Sequence, residues 1–209
     1  GQLDKCFFTM KGSHYHWLAC QGKVVLLDTK HGTNTYGLKL ALFTSIKNDG
    51  MSCVLAAGIL ASENESTFNW LFKCFEKTFS KPKVIFTDSD AAMDRSISIV
   101  WPDPNTTHLL CIFHLWKNFM ENICSGMSKD GWILARSAWW KLCKNTDSSF
   151  RDEISGKWCD LCDIVKNHCS EEVYHKKKMA RLNGIENYKM GTMLHMGSYN
   201  IWYTLHSTS

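Results

Sequence analysis

The chain has 209 residues, 44% hydrophobic and 12% aromatic, with ten cysteines and a formal net charge of +4. That is enough apolar material for a sizeable core, most simply one contiguous globular unit with a helical appendage, and the mild basicity permits a polyanionic partner without announcing one. No signal peptide and no apolar run of eighteen residues argue for secretion or membrane insertion, so the cysteines read as reduced core thiols of a cytosolic or nuclear protein.

In chain order, the runs "KVVLLD" (23–28), "YGLKLALFTSI" (36–46) and "SCVLAAGILA" (52–61) are apolar and partly β-branched. Turn-forming segments separate them, with Asn48-Asp49-Gly50 the strongest, which predicts an antiparallel three-strand meander. "SENESTFNWLFKCFEKTF" follows as a helix, with Ser62 predicted as N-cap, Glu65 three residues on, and Phe68, Leu71, Phe72, Phe75 and Phe79 along one face. Pro82 ends it. A fourth strand, "KVIFTD", a second helix, "DAAMDRSISIVW", and a fifth strand, "THLLCIF", then lead into the helix "HLWKNFMENI". Beyond about residue 125 strand patterns fade, and apolar residues recur at helical spacing from Trp132 to Leu142 and from Phe150 to Val165.

Strand, strand, strand, helix, strand, helix, strand is the order of the ribonuclease H-like fold. The expected class is therefore α/β, with a core over 1–124 followed by an all-helical insertion over 125–209 that ends before the last core helix. In that fold the first strand is central and carries one acid, and the fourth lies beside it and carries another. Here those positions fall on Asp28 and Asp88. Two divalent cations about 4 Å apart, clamping the attacking and leaving oxygens of a phosphodiester, need carboxylates on rigid neighbouring strands, and Mg²⁺ or Mn²⁺ suits such oxygen ligands. The competing reading is structural: Asp28 could sit in a polar turn, and Asp88 or Asp90 could cap the helix that starts near Ala91.

Four ordered blocks, "VVLLDTKHGTNTYGLKLALF", "AGILASENESTFNWLFKCF", "VIFTDSDAAM" and "HLLCIFHLWKNF", resemble the transposase domain of Mutator-like elements. That family also includes domesticated plant transcription factors of the FAR-RED IMPAIRED RESPONSE type. The resemblance covers about residues 5–120 and implies a DDE-type nucleotidyltransferase, with Asp28 and Asp88 as its first two acids and metal ligands. Asp90 matches a further acid of undefined role. The implied partner is double-stranded DNA, both element ends and target, in the nucleus, with homo-oligomerisation allowed and no membrane. His31 and Gly32 depart from the usual aromatic-containing turn, whereas Thr33, Asn34 and Tyr36 match it. The family's third acid is a Glu in a Ser-Thr-x-Arg-x-Glu context, expected just after "NIWYTLHSTS". The chain opens without Met and ends there, and is expected to be a segment of a longer protein lacking a complete triad. Whether the chain is an enzyme or a catalytically silent regulatory descendant stays open.

Cys111 and His114 form the family's recurring Cys-x-x-His step, whose role the sequence leaves undefined. A second cluster, Cys159, Cys162, His168, Cys169 and His175, has ligand types suited to structural Zn²⁺. The apolar stripe through Trp158, Leu161 and Val165 instead favours small core cysteines. Glu153, Glu171, Glu172 and Glu186, and the basic run 175–181, read as solvated helix faces, and Trp132, Trp139 and Trp140 as helical core.

Overall fold

The computed structural model describes residues 3–88, 90–102, 104–122, 126–143 and 151–169. Two compact units divide the chain, 1–115 and 116–209. The first contains β1 (Lys5–Thr9), α1 (Ser13–Ala19), β2 (Val24–Lys30), β3 (Lys39–Ile46), β4 (Ser52–Leu60), α2 (Glu65–Phe79), β5 (Val84–Thr87), α3 (Ala91–Val100), β6 (Thr107–Leu110) and the start of α4 (Ile112–Asn122). It is a mixed α/β fold on a six-stranded sheet of order β1-β4-β3-β2-β5-β6. Strands β2, β3 and β4 form the expected antiparallel meander, and β5 and β6 continue from β2 in parallel.

Side-chain alternation gives the sheet two different faces. Val25 and Leu27 of β2, Ala41 and Phe43 of β3 and Ile85 of β5 join one buried cluster with Trp17 of α1, the α2 stripe Phe68, Leu71, Phe72, Phe75 and Phe79, and Met93 and Ile97 of α3. Residues of opposite parity, Leu26 and Asp28 on β2, and Phe86 and then Asp88 on and after β5, belong to the other face. Fully burying each of these large apolar side chains contributes about 1.5–3 kcal/mol. Aromatic rings order the cluster: Phe43 stacks on Phe75 at 4.6 Å, and Trp17 meets Phe75 edge-on at 5.6 Å. At Gly58 of β4 an added Cβ would come within 2.7 Å of Leu71 Cδ1, so the missing side chain is what lets α2 settle on the strand.

Several sequence expectations are corrected. A sixth strand, β1, pairs with β4 at the edge, and a seven-residue helix, α1, follows it. The N-cap of α2 is Asn64 rather than Ser62: Asn64 Oδ1 accepts the Thr67 N–H at 2.9 Å, while the Ser62 hydroxyl is engaged with Thr67 Oγ1 and Asn64 Nδ2. The amide can answer both groups at once, which a hydroxyl at position 62 is too far upstream to do. The fifth predicted strand stops at Leu110, because the Cys111 carbonyl already accepts the Leu115 N–H and opens α4.

In the second unit, α5 (Lys129–Cys143) and α6 (Arg151–His168) are helical, and Met127 forms an isolated antiparallel bridge with Cys169. Trp139 is fully buried, with the Trp116 and Phe119 rings 5.4 and 5.0 Å from its own, and Trp116 also meets Phe119 and Trp140 at 5.8 Å. Trp132 is no core residue: it is 36% exposed, with the Arg136 guanidinium 5.5 Å from its ring. No helix among the described residues is long and apolar enough to cross a membrane. The described cysteines, Cys6, Cys20, Cys53, Cys74, Cys111, Cys162 and Cys169, are free thiols. Burial beside the Cys20 sulfur, 3.6 Å away, pushes the Cys53 thiol up to about 12.

Candidate functional site

Strands β2 and β5 pair in parallel with Val24 opposite Val84, Val25 opposite Ile85 and Leu26 opposite Phe86. Extending that register by two residues brings Asp28 level with Asp88. Both then belong to one face of neighbouring strands, whose backbones lie about 4.8 Å apart. Asp28 remains inside β2 and half exposed, while Asp88 follows directly after the fully buried β5. A buried strand delivers an acid to its own end here because its neighbour does the same.

Asp90 has a different job. Its Oδ1 accepts the N–H groups of Ala92 and Met93, each at 2.9 Å, making it the N-cap of α3. The Asp90 N–H in turn lies 3.3 Å from Asp88 Oδ1. Of the two acids that could have capped this helix, Asp90 does so and Asp88 is left facing Asp28.

A polar chain, buried at Thr87 and half exposed at Asp94, braces the end of β5. Thr87 Oγ1 donates to the Asp88 carbonyl at 2.8 Å and lies 2.7 Å from His108 Nε2 of β6, and His108 Nδ1 lies 3.0 Å from Asp94 Oδ1 of α3. Hydroxyl, imidazole and carboxylate are lined up as in a nucleophilic triad. Thr87, however, is fully buried, so the chain ties strand to strand to helix rather than meeting a substrate. Sequence reading missed these three residues. The only available signal was their parity: His108 pairs with Ile85 and so shares the helix-covered face with Thr87.

Cys111 and His114 enter the site from α4. The Cys111 N–H donates to the Thr87 carbonyl at 2.6 Å, which continues the β5–β6 ladder, and His114, one turn into the helix, has Nε2 3.5 Å from Asp28 Oδ1. Burial pushes the Cys111 thiol up, but the interaction with His114 outweighs it and holds the thiol below its ordinary range. The Cys111 sulfur, followed by the Asp28 and Asp88 carboxylates, holds His114 above its ordinary value despite partial burial. His114 Nδ1 is buried with no hydrogen-bond partner. The Cys-x-x-His spacing thus puts the His114 imidazole against Asp28.

Asp88 is the frustrated member of the group. Desolvation raises its pKa first; the Asp90 N–H and the His114 charge oppose this, and the Asp90 and Asp28 charges add to it, leaving the carboxyl above its usual value. A folded-state pKa above the unfolded one means stability that is complete below about pH 3.9 and lost as pH rises through the folded pKa. Asp88→Asn is therefore expected to melt higher than the wild type near neutral pH in chelator, with the difference vanishing below about pH 4. Thermal melting at both pH values checks this, and Mg²⁺ should narrow the gap by stabilising only the wild type.

Asp28 and Asp88, carboxylates at corresponding positions of neighbouring strands, are the donor type that a hard divalent cation takes. Among the described residues no three His, Cys, Asp or Glu side chains are grouped so as to hold a metal by themselves. For the sulfur cluster, Cys159 and Cys162 are both on α6, the Cys159 side chain lies outside the described part, and His175 lies outside the described residues. His168 Nδ1 bonds the Ile164 carbonyl at 2.9 Å, and its ring packs where Gly131 leaves no room for a Cβ.

Residues 24–118 match the family model of the MULE transposase domain. The chain is 26% identical over 177 residues to Protein FAR1-RELATED SEQUENCE 4 of Arabidopsis thaliana, covering 76% of this chain and 23% of that protein. It is 31% identical over 104 residues to Protein FAR1-RELATED SEQUENCE 5 of the same plant, covering 49% and 13%. It thus spans less than a quarter of the length of these curated relatives. Among solved structures, the HTLV-2 integrase catalytic core domain in complex with magnesium is similar over 59% of this chain and 87% of that one, at 15% identity and a TM-score of 0.33. Residues 24–118, which hold Asp28, Asp88, Cys111 and His114, are thus similar to the MULE transposase domain.

Proposed function

We propose that this chain is the ribonuclease H-like core of a DDE-type DNA transposase, with Asp28 and Asp88 as two of its three carboxylates and 125–209 as a helical insertion. The observation that carries this reading is the common register of Asp28 and Asp88 at one end and one face of two parallel strands. The order β4-β3-β2-β5-β6, with the acid-bearing β2 in the middle, supports the fold assignment.

Asp28 and Asp88 would hold Mg²⁺ or Mn²⁺, which when bound activates the attacking oxygen and steadies the leaving one. The chain's own residues supply the positioning. Strand pairing fixes both acids, the Thr87–His108–Asp94 brace fixes the end of β5, and His114 orients Asp28 while offsetting charge beside an incoming phosphate. The substrate is double-stranded DNA in the nucleus: a strand is hydrolysed at the element end, and the freed 3′ hydroxyl is joined to target DNA. Assembly as a homo-oligomer is compatible with handling two ends.

The test uses the full-length protein, so that a third carboxylate is present wherever in the chain it lies. Incubated with labelled duplex carrying the element's ends in Mg²⁺ or Mn²⁺, it should release nicked and joined products. A second reading, a regulatory DNA- or protein-binding scaffold, is favoured by the FAR1-related names of the similar proteins. Tight DNA binding with no cleavage in either cation would select it.

A further inference from the structure

We infer that the β2–β3 loop, residues 31–38, is a preorganised platform whose Tyr36 ring stacks on an unpaired base of the nucleic-acid strand lying beside Asp28. The inference rests on the nucleic-acid reading above and adds to it a binding residue and a ligand state.

Tyr36 is 85% exposed, the most exposed of the large hydrophobic side chains among the described residues. Its backbone is nevertheless held in place. Asn34 Oδ1 accepts the N–H groups of Tyr36 and Leu38, at 3.0 and 3.1 Å, and Asn34 Nδ2 donates to the Leu38 carbonyl at 2.7 Å. One side chain thereby closes the loop around the tyrosine. Gly37 at φ 69° turns the chain back into β3, and a Cβ added there would touch nothing within 4 Å, so the loop projects into open space. His31 anchors the near side, with Nε2 3.1 Å from Glu63 Oε2 on the β4–α2 connection.

A folded chain gains nothing by ordering an aromatic ring it does not bury. The cost of fixing the backbone beneath that ring is already met, which is what a binding platform requires. Position points to the ligand. The loop leaves β2 just after Lys30, two residues beyond Asp28, and at about 3.3 Å per residue its first residues lie about 10 Å from that carboxylate. Lys30, exposed at the end of β2, and the exposed ring on the loop that follows offer a phosphate contact and a stacking face, the combination that binds single strands without sequence preference. Bases inside a duplex have no free face, so the platform suits a frayed or single-stranded end.

The test measures binding of the full-length protein to a fluorescein-labelled single-stranded oligonucleotide of mixed sequence and to its blunt duplex, by fluorescence anisotropy. Tyr36→Ala is expected to weaken single-strand binding roughly 5- to 150-fold and to change duplex binding little. Tyr36→Phe, which keeps the ring, should bind like the wild type. So should Tyr15→Ala, whose ring is 73% exposed on α1. Single-strand binding unchanged in Tyr36→Ala, an equal loss on the duplex, or a loss in Tyr36→Phe matching that of the alanine variant would each overturn the inference and leave the proposed function standing. A wild-type protein that binds neither DNA would overturn both.

Discussion

Asp28→Ala and Asp88→Ala, each made in the full-length protein, should lower cation-dependent strand cleavage at least about a thousandfold, because a cation that loses one carboxylate forfeits several kcal/mol of transition-state stabilisation. DNA binding should persist in both variants, since phosphate affinity comes from Lys and Arg rather than from acids. Asp90→Ala provides the contrast. It removes the N-cap of α3 and should cost about 0.5–2 kcal/mol of stability while retaining cleavage. Product formation on denaturing gels, with binding measured in parallel, separates the three. An Asp28 variant that cleaves like the wild type would remove this residue from the chemistry.

The largest expected effect on stability is at Phe43. It is fully buried at the middle of β3, stacked on Phe75, with Phe72 and Phe7 meeting it edge-on. Phe43→Ala deletes the ring that α2 rests on and leaves a cavity bounded by other rings, which collapse poorly. A loss of about 3–5 kcal/mol is expected, a large part of the stability of a small domain. Urea unfolding, followed for the transition of the unit that contains the sheet, should show a lower midpoint with little change in slope. Phe43→Leu should lie between the two, since it restores part of the volume.

What could be read from the sequence follows from the range of the interactions involved. The runs that became β2 to β6, and the α2 stripe from Phe68 to Phe79, are periodic in themselves, so their pattern sufficed. β1 is five residues long and finds its partner, β4, some fifty positions later; α1 is a single-sided helix of seven residues with Tyr15 and Leu18 exposed. Neither carries enough local pattern to stand out. The acids at 28 and 88 were legible as strand-end residues, but only the parallel register puts them opposite one another. Which aspartate capped α3 depended on geometry that two candidates two residues apart could both have met. His114 approaching Asp28, and Thr87 joining Asp94 through His108, link positions between 14 and 86 residues apart, and no pattern within one segment encodes such contacts.

The Asp28–Asp88 pair as a divalent-cation site is tested most directly with the metal alone. Mn²⁺ titrated into isotope-labelled protein should broaden the amide resonances of Asp28, Thr29, Asp88 and Cys111 first, and Asp28→Ala should abolish that local broadening while the rest of the spectrum stays folded. Broadening centred on other acids such as Asp49 or Asp4, or a pattern that Asp28→Ala leaves unchanged, would contradict the account.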